Sequence, residues 1–226
     1  MLFRSNKGEN YHRTDVYGGA LNTVVNWALG KTALGVDLRK ELIYSTAYGE
    51  TLPAHQWKTI HGSDRMYERR GERTNTSLFL EHNVVLQHFT LSAGLLANHN
   101  TWLSGGLHFY PGVDLAWRPN AQWKVFASWN KALRLPTYTD LYISNRAQMG
   151  DQNLNPERVN TYKLGARYRT TALQTQVNAF YSNGRDMIDW VFETSASTRY
   201  HALNIGKLDN MGASVDLAFM PKELWA

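Results

Sequence analysis

Two stretches concentrate the side chains that could do chemistry. Between Ala47 and Arg73 lie His55, Trp57, His61, Asp64, Arg65, Tyr67, Arg69 and Arg70, and between Arg134 and Glu157 lie Tyr138, Asp140, Tyr142, Arg146 and Asp151. Covalent catalysis needs a nucleophile, a base and an orienting acid within reach of one another. No G-x-S-x-G turn and no suggestively spaced carboxylate pair occurs, and the chain has 0 cysteines. No enzyme activity and no catalytic residue is therefore expected. Metal binding has little more support. His55 and His61 share one stretch, but Asp186 and Asp189 stand at i, i+3 and would point to opposite faces of a strand. Neither a metal site nor a cofactor is expected. Arginine mixed with Tyr and Trp instead suits non-covalent capture of a bulky ligand through charge and stacking.

The elements that would position these residues are read from a period of two. Apolar and polar residues alternate in segments placed near 17–28, 31–45, 74–85, 88–98, 106–118, 122–133, 159–169, 173–193 and 200–219. In one of them Leu173, Thr175, Val177, Ala179 and Tyr181 oppose Gln174, Gln176, Asn178, Phe180 and Ser182. Leu96 and Phe126 break the pattern by putting large apolar groups among polar ones. Several segments exceed the five or six residues usual in soluble sheets and reach the ~9–11 that a tilted strand needs to cross a bilayer. Short turns are expected at Gly30–Lys31, Gln87, Pro119–Asn120, Thr170–Thr171 and Pro221–Lys222. Longer links are expected near 46–73, 99–105, 134–158 and 194–199. Short turns on one rim and long loops on the other are the pattern of an outer-membrane barrel. Trp117, Trp123, Tyr168, Phe219 and Trp225 flank the short turns, as an interfacial aromatic girdle would. A soluble sandwich or propeller also alternates, but no repeat at a fixed period is present. The reading is all-β, an antiparallel transmembrane β-barrel fragment of about nine strands.

Bulk composition is compatible with this. Of 226 residues, 19% are charged and 12% aromatic, with 8 Trp and 12 Tyr, while mean hydropathy is −0.45. The net charge of +5 could attract nucleic acid, but no basic run exceeds Arg69–Arg70, and scattered surface charge is the reading adopted; no nucleic-acid partner is expected. No segment approaches the ~18 consecutive apolar residues of a spanning helix. The opening "MLFRSNKGEN" lacks an apolar core with a cleavage site, as expected if the true start lies upstream. His82, His88, His99 and His108 are scattered and read as lumen or interface polar residues.

Between two alternating segments the rhythm stops, and there the motifs become specific. "LRLPTYTDLY" (133–142) is similar to the F-R-x-P-x-x-x-x-L-Y segment of TonB-dependent outer-membrane receptors, and "GDQNLNPERVNTYKLGARY" (150–168) resembles their G-N-x-x-L-x-P-E-x-x-x-x-x-E-L-G element. "FYSNGRDMIDWV" (180–191) and "YHALNIGKLDNMGASVDLAF" (200–219) resemble the strands that follow, with Asn204 and Gly212 at the family's Asn and Gly. Leu133, Asp151-Gln152 and Lys163 depart from the pattern. The matched positions are Arg134, Pro136, Leu141, Tyr142, Asn153, Leu154, Pro156, Glu157 and Gly165. Pro136 and Pro156 mark where the ladder must end. Arg134 and Glu157 stand at the two ends of one loop, where they either pair as ions or cap backbone separately, and Leu141 and Leu154 pack that loop down.

The resemblance implies a 22-strand barrel closed by an N-terminal plug, of which residues 1–226 would be an internal part, with the plug and the C-terminal strands lying outside it. It implies a location in the outer membrane of a Gram-negative bacterium, contact with its lipid and lipopolysaccharide, and import of a scarce nutrient driven by the proton gradient through the TonB complex. Extracellular loops would hold the ligand, making His55, Trp57, His61, Arg65, Tyr67, Tyr138, Asp140, Tyr142 and Arg146 its candidate contacts. Cobalamin is slightly favoured over a ferric siderophore, and a passive porin is the remaining alternative.

Overall fold

The computed structural model describes residues 10–103, 106–194 and 196–219. Its strands in chain order are β1 (His12–Trp27), β2 (Gly30–Ser45), β3 (Glu50–Thr51), β4 (Lys58–Thr59), β5 (Met66–Tyr67), β6 (Arg69–Val85), β7 (Phe89–Asn100) and β8 (His108–Trp117). There follow β9 (Trp123–Arg134), β10 (Gln148–Met149), β11 (Glu157–Arg169), β12 (Leu173–Arg185), β13 (Ile188–Val191), β14 (Tyr200–Asn204) and β15 (Lys207–Phe219). One α-helix, α1 (Tyr138–Tyr142), lies between β9 and β10. The long strands form one antiparallel meander, β1-β2-β6-β7-β8-β9-β11-β12-β15, each paired with its sequence neighbour. Nine long strands agree with the alternation, and so do the turns at Gln87, Pro119–Asn120 and Thr170–Thr171. The first turn is shifted: Trp27 pairs with Gly30, so it sits at Ala28–Leu29 rather than Gly30–Lys31. Pro221–Lys222 and Trp225 lie outside the described residues.

Register makes each face continuous. On one face Leu21, Val36, Leu78 and Ala97 stand in a cross-strand row, and so do Ala127, Leu164, Ala179 and Ala213. Among the described residues no layer packs against this apolar face: Leu21 is 73% exposed, Leu164 59% and Val215 70%. The apolar residues that are buried, Ile43, Tyr44, Ile60, Tyr110, Leu141 and Ala202, gather at the long-loop rim. A soluble sandwich would bury its apolar face instead, because apolar burial drives its folding. Trp27, Phe89, Trp117, Trp123, Tyr168 and Phe219 line the short-turn end of the same face. There Phe89 stacks on Trp117 at 6.4 Å and Trp123 meets Tyr168 at 4.9 Å. Between this row and Lys40, Thr74, Lys131, Asn160, Asn183 and Asp209 near the other rim, the face carries no Asp, Glu, Lys or Arg.

The opposite face carries Asn22, Asp37, Ser77, Asp114, Ser128, Lys163, Gln176 and Ser214, and its pairing accounts for three phenylalanines among them, Phe126 included, though not for Leu96, which stands across from Phe79 and Tyr110. Phe79, Phe126 and Phe180 each stand directly across from a glycine: Gly35, Gly165 and Gly212. A Cβ at Gly165 would lie 2.3 Å from the Phe126 ring, and one at Gly35 would lie 1.9 Å from Phe79. Each ring lies flat over the strand beside it, so large apolar groups fit on the polar face without projecting from it. Pro111 has no N–H to give β9, and β8 pairs with β9 only from Gly112↔Asn130 to Trp117↔Val125.

Two expected strands are broken. The alternation over 173–193 suggests one strand, but Asp186 takes φ +56° and divides it into β12 and β13. The segment 200–219 divides at Gly206, whose φ is +111°. The freed pieces leave the wall and build a small sheet, β10-β14-β13, above it.

Candidate functional site

The loop leaving β9 is closed at its base by charge. Arg134 and Glu157 are register partners, and the guanidinium donates from Nε to Oε2 at 2.6 Å and from Nη2 to Oε1 at 2.5 Å. Glu157 is 5% exposed, and its Oε1 also accepts the backbone N–H of Ile188 at 2.9 Å. One carboxylate therefore ties this loop to the start of the small sheet. Asn204 adds a second tie: its side chain accepts the Asn155 N–H at 2.8 Å and donates to the Asn155 carbonyl at 3.0 Å. Within the loop, α1 starts at a capping box. Thr137 Oγ1 accepts the Asp140 N–H at 3.1 Å, and Asp140 Oδ2 accepts the Thr137 N–H at 2.9 Å.

The loop then crosses above β8 and β7 to reach β6 on the polar face. Arg73 donates to the Pro136 carbonyl at 3.0 Å and from Nε to Glu41 Oε2 at 2.5 Å. Its guanidinium lies 5.0 Å from the Trp102 ring and 5.3 Å from that of Tyr138. Trp102 meets Tyr138 edge-on at 5.0 Å and donates its indole N–H to the Glu72 carbonyl at 3.0 Å. Burial pushes the Tyr138 phenol up to about 12 and raises that of Tyr142 as well, so both stay neutral near pH 7. Beside this cluster is a cavity of about 320 Å³ lined by Glu50, Thr51, Leu52, Arg70, Gly71, Glu72, Trp102 and Tyr142. A neighbouring one of about 390 Å³ is lined by Tyr44, Leu52, His55, Gln56, Trp57, Lys58 and Arg70. Aromatic rings beside cations and few free carboxylates make these hollows suited to holding a ligand non-covalently. Among the described residues no three His, Asp or Glu side chains converge as metal ligands.

Comparison with known proteins gives this arrangement its family. The model for "TonB dependent receptor-like, beta-barrel" matches residues 2–226. The chain belongs to the TonB-dependent receptor family. Its β-barrel region is 27% identical over 121 residues to the vitamin B12 transporter BtuB of Vibrio vulnificus, covering 54% of this chain and 18% of that protein. Among solved structures, the FrpB iron transporter of Neisseria meningitidis (F3-3 variant) superposes with a TM-score of 0.69 at 18% identity, over 94% of this chain and 34% of that one. The siderophore receptor PirA of Pseudomonas aeruginosa gives 0.69 at 18% identity, over 92% and 37%. The chain thus spans less than a fifth of the curated relative and about a third of the solved receptors, and the likeness to the latter is one of fold, a partial barrel.

In this receptor barrel the residues singled out from sequence are only partly together. Tyr142 lines the first cavity, while His55 and Trp57 line the second. Tyr138 is held under Trp102, and the Asp140 carboxylate is engaged by the helix cap and lies 3.7 Å from Arg134. Tyr67 pairs with Lys58 in the β4–β5 ladder. His61, Arg65 and Arg146 are exposed and line neither cavity. Pro136 and Leu141 are buried, Asn153 is exposed and donates to Asp151, Leu154 is half-buried, and Gly165 lies under Phe126. Sequence reading missed Trp102, Arg73 and Glu41. Arg73 and Glu41 become partners only through the β2–β6 register, and Trp102 sits in a link too short to stand out.

Proposed function

We propose that this chain forms part of the wall of an outer-membrane receptor that imports a scarce, bulky nutrient with energy delivered by the TonB complex. The observation that carries the reading is the uncovered, charge-free apolar face edged by aromatic residues. Such a face is stable against hydrocarbon and unstable against water. Free sheet edges in lipid would leave backbone groups unsatisfied at several kcal/mol each, so we place the nine strands within a larger closed barrel of the 22-strand type, with a plug supplied by the rest of the protein. The rim cavities would contribute to ligand capture, and no covalent chemistry is assigned to them.

The ligand we favour is a cobalamin, supported by the vitamin B12 transporter among its relatives and by rim aromatics and amides that suit a large, weakly charged molecule. The alternative is a ferric siderophore, supported by Arg70 beside Trp102 and Tyr142 in the first cavity, a setting that suits an anionic aromatic chelate. Titrating the complete purified receptor with cyanocobalamin and with ferric catecholate and hydroxamate chelates separates them. Saturable cobalamin binding without chelate binding is expected, and the reverse result transfers the assignment to iron. Uptake by cells that persists after the proton gradient is collapsed would instead indicate a passive pore.

A further inference from the structure

The two sides of the first cavity are held by different means. On one side Arg70, Gly71 and Glu72 belong to β6 and are fixed by the β2–β6 ladder. On the other side Trp102 comes from the link after β7, and Tyr142 comes from α1. Trp102 lies beyond the last β6–β7 pair, Asn75↔Asn100. Besides its indole bond to the Glu72 carbonyl, its backbone N–H donates to Asn100 Oδ1 at 2.9 Å. Tyr142 lies 6.3 Å from the Trp102 ring and 6.4 Å from that of Tyr138. Arg73 touches both of these pieces, and it lines neither cavity.

Arg73 stands opposite Glu41 in the register. The Glu41 carboxylate is divided between two guanidiniums: Oε2 accepts from Arg73 Nε, and Oε1 lies 2.7 Å from Arg39 Nη2. The Arg73 and Glu41 side chains are 15% and 12% exposed, whereas that of Arg39 is 54% exposed. A pair so enclosed is costly to open, because either partner alone would keep its charge away from water. The guanidinium is thereby fixed. Its Nη1 reaches the carbonyl of Pro136, the residue before the N-cap of α1. The Trp102 and Tyr138 rings take up positions around it, and attraction of a cation to ring faces strengthens as water is excluded. Gly71 leaves the room this needs, since a Cβ there would lie 2.8 Å from the Tyr138 ring.

We propose that Arg73 is a positioning residue for ligand capture: it sets Trp102 and the α1 loop in the arrangement that gives the first cavity its aromatic wall. This rests on reading the rim cavities as capture sites. A wall already in place spares the ligand the cost of ordering two loops when it binds.

The test uses the complete receptor labelled with 5-fluorotryptophan, the Trp102 line being assigned by its loss in Trp102→Ala. Arg73→Gln should shift or broaden that line before any ligand is added, whereas Arg13→Gln, at a rim ion pair away from the cavity, should leave it in place. Titration with cyanocobalamin and with a ferric catecholate follows. For whichever probe binds, Arg73→Gln should weaken affinity about tenfold, the scale of cation–π contacts shielded from water, chiefly through faster dissociation. Arg73→Lys should fall within about threefold of Arg73→Gln, because an ammonium does not replace a planar fork that stacks and bonds at once. Should Arg73→Gln not refold, Arg73→Lys serves in its place. In a Trp102→Ala background the further loss on replacing Arg73 should be less than about twofold. An unmoved fluorine line, wild-type affinity in Arg73→Lys, or losses that simply add overturns the proposal. So does a loss that fades as salt is raised, which would mark direct contact with an anionic ligand. If neither probe binds the wild-type receptor, the choice of ligand fails, and the fluorine line still decides whether Arg73 places Trp102.

Discussion

At the scale of single residues, Glu157 does more than its place in a motif suggests. Its carboxylate closes the β9–β11 loop through Arg134 and holds the start of β13 through Ile188. Replacing it by alanine leaves the Ile188 N–H unpaired and the Arg134 guanidinium with only Asp140, 3.7 Å away. Because Arg134 is half exposed, the cost should be about 1–2 kcal/mol, below that of breaking a fully buried pair. Glu157→Ala should therefore speed amide hydrogen exchange in both 135–156 and 186–206 while the wall strands keep their protection. Asp140→Ala, which removes half of a helix cap worth ~1 kcal/mol, should speed it in 135–156 alone. Equal effects of the two substitutions would contradict the shared-latch role. The motif spacing singled out Arg134 and Glu157, but their ion pair and separate capping were equally good readings of the sequence. The decisive fact, that they are register partners, depends on how many residues of each strand pair. His61, Arg65 and Arg146 were selected by residue type and proximity, and type does not say which side of a loop faces a cavity.

At the scale of elements, the wall was legible because a strand repeats every second residue and a one-step slip would turn every side chain to the wrong face. The breaks were not legible. The sequence reading carries a single strand through "FYSNGRDMIDWV", and it is the left-handed backbone at Asp186 that marks the corner. Phe126 looked like noise in the pattern and proves to be half of a device, the other half being Gly165 across the strand. Gly165→Val should displace that ring and cost about 1–3 kcal/mol by overpacking. In a Phe126→Ala background most of that cost should vanish. A thermodynamic cycle of the two substitutions, read from urea unfolding of the refolded receptor, checks this, and simple additivity would show that ring and glycine do not depend on each other.

At the scale of the whole molecule, stability depends on what surrounds the wall. A positive charge at the centre of the apolar face should be costly in a bilayer. Leu164→Arg should lower the stability of the barrel folded in lipid vesicles by about 2–4 kcal/mol, whereas Gln176→Arg on the polar face should change it by less than 1. Similar losses at both positions would mean that the apolar face does not meet hydrocarbon. The small sheet has a consequence of another kind. Gln148–Met149 lies parallel against Tyr200–His201, so two stretches about fifty residues apart in the chain share one ladder. An engineer grafting either loop from a relative would leave its former companion with a bare strand edge. Specificity on this rim would have to be transplanted, and inherited, as a matched cassette.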